Sequence, residues 1–232
     1  MLLILGVVAL CGAGFLAGKW YLNRFDRLGR PRRFPSISVG LLVVLAVVLA
    51  TPTILRHREE AKLDKVVSVL VGAHATVHCQ TFGQTFTDTT GDLGYVKFDA
   101  DGVPQHHTTI MRGPCGDLKH YYGGDQLHPS RDEIVAVHVL THESMHMRGQ
   151  PVEALAECEA MQRDAETAQL LGASPTEAIE LARAYWLQVY PLMSPTYQSS
   201  DCTAGGSLDE HLPDPPWSRG DYVPVTLPAS SE

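Results

Sequence analysis

Residues 142–146 read His-Glu-Ser-Met-His, the HExxH pattern of two histidines separated by one helical turn. Residues four apart on a helix lie above one another, so His142 and His146 can direct two imidazole nitrogens at one metal ion. Glu143 is rotated about 100° from His142 and borders the site, where a general base for a zinc-activated water belongs. The pattern therefore predicts a zinc (Zn2+) site with His142 and His146 as ligands and Glu143 as the catalytic residue, although a five-residue pattern also arises by coincidence.

The third ligand of such a site must come from nearby, because a catalytic zinc ion needs three protein ligands and an open position. Glu157 is predicted for this role because it lies on the side of its helix that should pack inward, where a buried carboxylate needs a partner. Glu153, one turn earlier, is the alternative, and a non-acidic ligand is another. His138 is expected behind the ligands, because three successive turns of one helix span too far for one ion.

The residues before this motif predict a short antiparallel sheet. An extended run at 75–82 is followed by two more, 94–100 and 103–112, which flank the Asp101-Gly102 turn. An Asp-Gly pair between two such runs is a strong signal for a β-hairpin. Residues 113–129 are expected to form a loop that leads into the first helix of the site.

Capping boxes and breakers define the helices around the motif. In the pattern Ser-x-x-Glu, seen at residues 130–133 and again at 174–177, each side chain bonds the other's backbone amide at a helix start. Glycine and proline after a periodic segment mark helix ends. The sequence therefore predicts three helices, from Arg131 to Gly149, from Pro151 to Gly172 and from Ser174 to Pro191.

Two apolar stretches open the chain. Residues 1–17 and 37–55 contain no Asp, Glu, Lys or Arg, and each approaches the roughly 20 residues with which a helix crosses a bilayer. Residues 18–36 hold six Lys or Arg and one Asp, which is typical of a loop that stays in the cytoplasm. The sequence therefore predicts a two-pass protein of the cell membrane, with an extracytoplasmic domain at 56–208 and an irregular C-terminal tail at 209–232.

A signal peptide is the alternative to the second membrane span. Residues 30–50 have its pattern, and in that alternative too the rest of the chain lies outside the cytoplasm.

The compartment is also indicated by the cysteines. Cys79, Cys115, Cys158 and Cys202 form an even set, as expected where disulfides persist. Of three possible pairings, Cys79 with Cys115 and Cys158 with Cys202 is favoured because each closes a neighbouring segment. Four unrelated buried thiols are the alternative.

Charge excludes one class of partner. The chain of 232 residues has 26 acidic and 18 basic residues and a net charge of −8, so it offers no basic surface for nucleic acid. Its length and hydrophobic content of 44% suffice for one ordinary domain in addition to the apolar stretches.

The order of hairpin, capped helix with HExxH, turn and second helix with an inward glutamate resembles the zincin metallopeptidases. It is most similar to the gluzincin-like arrangement with a short spacer in ImmA/IrrE-type peptidases. The stretch "AECEA" matches their pattern of a glutamate with alanine three positions on, here Glu157 and Ala160. Met161 departs from it, since a polar residue is common there. The chain also resembles bacterial membrane-anchored proteins of unassigned function, through "THESMHMRG" and "YQSSDCTAGGSLD".

The resemblance implies an α+β zincin-like domain after two transmembrane helices, with zinc as cofactor and a peptide or protein as substrate. The expected function is a membrane-anchored zinc metallopeptidase, and the alternative is a binding or structural ectodomain without peptidase activity. Tyr197 and His211 are candidates for stabilising the reacting carbonyl, and the strand at 106–112 for holding an extended substrate if it edges the sheet. Further histidines that could line the cleft are His106, His107, His120 and His128.

Overall fold

A computed structural model describes residues 2–26, 28–81, 84 and 93–217 of the chain. Its backbone divides into two compact units, 1–59 and 60–232. The described residues form seven α-helices and one three-stranded sheet, so the α+β class is as predicted. The last fifteen residues of the predicted tail lie outside the described residues.

The first unit contains two apolar helices, α1 (Leu2–Leu22) and the start of α2 (Ser36–Val71). Both are long and apolar enough to cross a membrane, with mean hydropathies of 1.8 and 2.5 in their most apolar windows. The second predicted span, 37–55, is part of one longer continuous helix, which passes through Pro52 and ends before Gly72 at φ +75°. The last residues of α2, Glu60–Val71, belong to the second unit.

The sheet contains β1 (Thr76–Cys79), β2 (Gly94–Phe98) and β3 (Pro104–Ile110), in the order β1-β3-β2. The predicted hairpin is confirmed, since β2 and β3 pair antiparallel. The prediction of a purely antiparallel sheet is wrong, because β1 pairs parallel to β3. This pairing makes β3 the central strand, so the run 106–112 does not lie at an edge of the sheet. Strand β2, the other strand of the hairpin, lies at one side of the sheet.

Helix α3 (Arg112–Gly123) occupies most of the segment that was expected to be a loop. It forms because Leu118 and Tyr121, three residues apart, are both fully buried against the core, and because Cys115 is bonded to Cys79 of β1. Tertiary packing of this kind outweighs the low helix propensity of the glycines in the segment.

Helix α4 (Arg131–Met147) begins at the predicted capping box, in which Ser130 and Glu133 bond each other's backbone amides. It ends at Met147, two residues before the predicted end, with Arg148 as its C-cap and Gly149 following at φ +106°. From Ile134 to Met147 every residue except Val135 is buried, because the sheet and helices α3, α5, α6 and α7 surround it. The helix that carries HExxH is therefore the central helix of the second unit.

The predicted helix from Pro151 to Gly172 is two helices, α5 (Glu153–Met161) and α6 (Asp164–Leu170). The break follows from contacts with the later chain, since the side-chain amide of Gln162 donates to the Leu208 carbonyl and accepts from the Glu210 amide. Helix α7 (Pro175–Gln188) starts at the second predicted capping box, and a 3-10 turn, Tyr190–Leu192, contains the expected terminator Pro191.

Two disulfides join Cys79 to Cys115 and Cys158 to Cys202, so the favoured pairing is confirmed. The fifth cysteine, Cys11, is an exposed free thiol on α1. Disulfides of this kind are characteristic of an oxidising compartment. They close segments of 36 and 44 residues, which in the chain-entropy treatment stabilises the folded state by about 4 kcal/mol each.

We expect the purified chain, unfolded without reductant, to expose one alkylatable thiol, Cys11, and five after reduction. The double substitution Cys158→Ser/Cys202→Ser should lower the free energy of unfolding by about 2–4 kcal/mol, because the segment it closes becomes unconstrained in the unfolded state. Mass spectrometry after alkylation and denaturant unfolding measure the two effects, with Cys11→Ser as the control that leaves stability unchanged. Two or more reactive thiols before reduction would contradict the pairing.

Candidate metal centre

One face of α4 brings the predicted residues to a common cavity. His138, His142, Glu143 and His146 are all buried, with between 2% and 7% of each residue exposed. They line a cavity of about 330 Å³ that lies between α4, strand β2 and the region of α7. Glu143 lies on the β2 side of this face, next to the two histidines of the motif.

Two sets of side chains among the described residues have the composition and spacing of a metal site, and they share His142. The outer trio consists of His142, His146 and Glu153, and the inner trio of His138, His142 and Glu157. The predicted ligands His142, His146 and Glu157 are thus divided between the two trios, because the two carboxylates face opposite nitrogens of the His142 ring.

In the outer trio, three potential ligand atoms converge. The Nε2 atoms of His142 and His146 are 3.0 Å apart, and Glu153 Oε2 lies 3.1 Å from the first and 3.4 Å from the second. Zinc bound tetrahedrally at about 2.0–2.1 Å from each ligand separates its ligands by roughly 3.3–3.4 Å. The three atoms therefore stand at nearly the mutual distances that this ion requires.

The other ring nitrogens of these histidines determine which atoms carry protons. His146 Nδ1 lies 2.6 Å from the Gln150 carbonyl, which can only accept, so Nδ1 is the donor. His142 Nδ1 faces a Glu157 carboxylate oxygen at 3.1 Å, an ion-pair distance without the alignment of a full hydrogen bond. With both Nδ1 atoms protonated, each ring directs its Nε2 atom at the other ring and at Glu153. These three atoms need a proton or a metal ion between them, because without one all three are acceptors.

The inner trio is satisfied by protons instead. His138 Nδ1 lies 2.8 Å from Asp164 Oδ2, and its Nε2 lies 3.0 Å from Glu157 Oε2. Tyr185 donates to Glu157 Oε1 over 2.7 Å and stacks on the His138 ring at 3.6 Å. Each ring nitrogen of His138 has a carboxylate as its partner, so the ring is an imidazolium with no lone pair for a metal.

Burial and these partners act on the pKa values in opposite directions. Burial alone would lower the pKa of His138, but the charges of Asp164 and Glu157 raise it to about 10. Burial likewise opposes protonation of His142, yet its contacts with Glu153 and Glu157 raise that pKa to about 9. Burial, together with the nearby His142, lowers the pKa of His146. One proton on His142 therefore supplies the cation when no metal is bound, and a metal ion has to displace it.

The structure locates the remaining predicted residues clearly. The Tyr197 ring lies 5.9 Å from the His142 ring and lines the cavity. His211 is exposed, 3.3 Å from Asp209, and is not among the described residues that line the cavity. The same holds for the four further histidines that could have lined the cleft, His106, His107, His120 and His128.

Three residues that contact the site were not predicted from the sequence. Gln150 holds His146 through a backbone carbonyl, which leaves no trace in residue type. Asp164 and Tyr185 approach His138 and Glu157 from α6 and α7, at sequence separations of 26 and 28. The one available signal was His138 itself, because a buried histidine needs partners for both ring nitrogens.

No known protein family, curated protein or solved structure matches the chain. The similarity to zincins therefore stays a prediction.

We expect His138→Gln to destabilise the protein by roughly 3–5 kcal/mol, because Asp164 and Glu157 would remain buried without their shared positive charge. Denaturant unfolding of the metal-free chain in detergent measures the loss. The exposed substitution His211→Gln is the matched control and should change stability by no more than about 0.5 kcal/mol. A His138 variant as stable as the control would show that the buried carboxylates are neutral.

Proposed function

We propose that the second unit binds one zinc ion through His142, His146 and Glu153. The convergence of three potential ligand atoms within 3.0–3.4 Å of one another is the observation that carries this proposal. Imidazole nitrogen and carboxylate oxygen are ligands that zinc prefers, and the set of two histidines and one glutamate is typical of catalytic zinc. Glu157 supports the site from behind by holding the Nδ1 side of His142.

The cavity favours catalytic over structural zinc. Structural sites are closed by four protein ligands, whereas catalytic sites keep a position open for water and substrate. Here the fourth side faces a cavity of about 330 Å³, and the carboxylate of Glu143 lines the same cavity. When bound, zinc supplies the Lewis acidity that activates water and polarises a carbonyl group.

The reaction that this arrangement supports is hydrolysis of a peptide bond. Glu143 accepts a proton from the attacking water and returns it to the amine that leaves, so the proton is conserved and water is added across the bond. Glu143 needs no contact with the metal for this role. His142, His146 and Glu153 hold the site, and the Glu157 contact fixes the orientation of the His142 ring.

A peptide fits the surroundings of the site. Strand β2 lines the cavity through Gly94, Tyr95 and Val96 and has a strand neighbour on one side only within the described part of the sheet. An extended substrate can therefore bond to β2 as an added strand, which recognises backbone groups common to all peptides. We therefore assign substrate binding to β2 and not to the central strand β3, which was the predicted one.

The two apolar helices and the two disulfides support a protein that is anchored in the cell membrane and acts outside the cytoplasm. The positive charge between the helices favours a cytoplasmic loop, and the second unit then lies on the opposite side.

Zinc content and affinity test the ligand set. We expect about one zinc ion per purified chain, lost on His142→Ala, His146→Ala or Glu153→Gln because each removes one of three protein ligands. Glu157→Gln should retain zinc with affinity lowered about 10–100-fold, as expected for a residue that orients a ligand. Metal analysis and competition with a chelator measure both. If Glu157→Gln loses zinc while Glu153→Gln keeps it, the ligand is Glu157, as the sequence predicted.

Glu143→Gln separates a peptidase from a binding module. The substitution should leave zinc content and fold unchanged and lower hydrolysis of an unstructured protein about 10²- to 10⁴-fold, because the proton acceptor is removed and the ligands remain. Cleavage is followed by mass spectrometry of the products. A wild-type protein that holds zinc, cleaves no peptide in a diverse library and behaves as Glu143→Gln does would favour the binding function.

A further inference from the structure

Gly94, the first residue of β2, lies directly against Glu143. A Cβ atom at position 94 would stand 3.0 Å from both Cγ and Oε1 of Glu143 and 3.1 Å from Cδ1 of Ile110, its partner on β3. Contacts of this length are tighter than nine in ten Cβ contacts in folded proteins, so a neighbour would have to shift by a few tenths of an ångström. Gly94 is buried, and β2 therefore passes next to the Glu143 carboxylate with no side chain between them.

The backbone at Gly94 does not itself require glycine. It is paired in regular antiparallel register with Ile110 and is not among the glycines with positive φ. Glycine weakens a strand, since it brings no side chain to pack and loses more conformational freedom on folding. Since the local backbone conformation would accept alanine, we attribute the presence of glycine at position 94 to the space that Glu143 occupies.

We infer that Gly94 is a positioning residue for Glu143. It leaves room for the carboxylate to lie between α4 and β2, beside the edge where an extended substrate would bind. A side chain at position 94 would press on Cγ and Oε1 of Glu143, which stand equally close to it, and would move the proton acceptor away from the reacting water. This inference rests on the proposed function for its catalytic consequence but on packing alone for the contact between Gly94 and Glu143.

The contact is tested by a set of double substitutions in the metal-free full chain in detergent. Gly94→Ala should lower the Tm by roughly 3–10 °C, as overpacking does in a chain of this size. Glu143→Gln keeps the atoms that clash, so Gly94→Ala should lower the Tm equally in that background. Glu143→Ala removes them, and there most of the loss should disappear, since the contact with Cδ1 of Ile110 is the close contact that remains.

The second neighbour supplies the control. If the clash with Ile110 dominated, Ile110→Val would abolish the Tm loss caused by Gly94→Ala, and we expect it to persist. A loss of equal size in the Glu143→Ala and wild-type backgrounds would overturn the inference. If Gly94→Ala fails to fold, a folded Gly94→Ala/Glu143→Ala chain supports the inference, and failure of both overturns it.

Kinetics test the catalytic consequence. Gly94→Ala should retain zinc and lower kcat about 10–100-fold with little change in KM, because Glu143 is displaced while the backbone of β2 remains available. A raised KM with unchanged kcat would assign Gly94 to substrate docking and overturn the positioning role. If the wild-type chain cleaves no peptide, the proposed function fails, while the stability measurements still decide whether Gly94 positions Glu143.

Discussion

The protons on the Nδ1 atoms of His142 and His146 are the constraint on which the site depends. A backbone carbonyl holds one of them and a buried carboxylate faces the other, so both Nε2 lone pairs turn toward Glu153. Converging acceptors repel one another unless a cation lies between them. The fold imposes this arrangement on the motif, which by sequence alone would be compatible with either tautomer of each ring.

The rest of the second unit holds this arrangement in place. The turn after α4 brings the Gln150 carbonyl to His146 and directs α5 back along α4, so that Glu153 and Glu157 reach opposite sides of one imidazole ring. Behind them, the imidazolium of His138 lies between two carboxylates that would be costly to bury alone. The proposed ligands are therefore backed by a layer of paired charges.

Local signals allowed most of α4 to be predicted, since the capping box at Ser130 and the glycine at 149 act within a few residues. The parallel pairing of β1 and the break before Asp164 depend on distant contacts and could not be predicted in this way. The choice between Glu153 and Glu157 has the same origin. Both lie on one face of α5, one turn apart, and only the position of α5 beside α4 distinguishes them.

Because Glu153 and Glu157 lie one turn apart, the position of α5 along its axis determines which of them reaches the two histidines. A shift of α5 by four residues, about 6 Å along its axis, would move Glu157 to the place of Glu153. The bond from Cys158 to Cys202 and the pairing of Arg163 with Glu210 attach both sides of the break after α5 to the later chain, and so oppose sliding. The Cys158–Cys202 disulfide thus fixes the position of α5 along its own axis, and with it which carboxylate faces the Nε2 atoms of the two histidines.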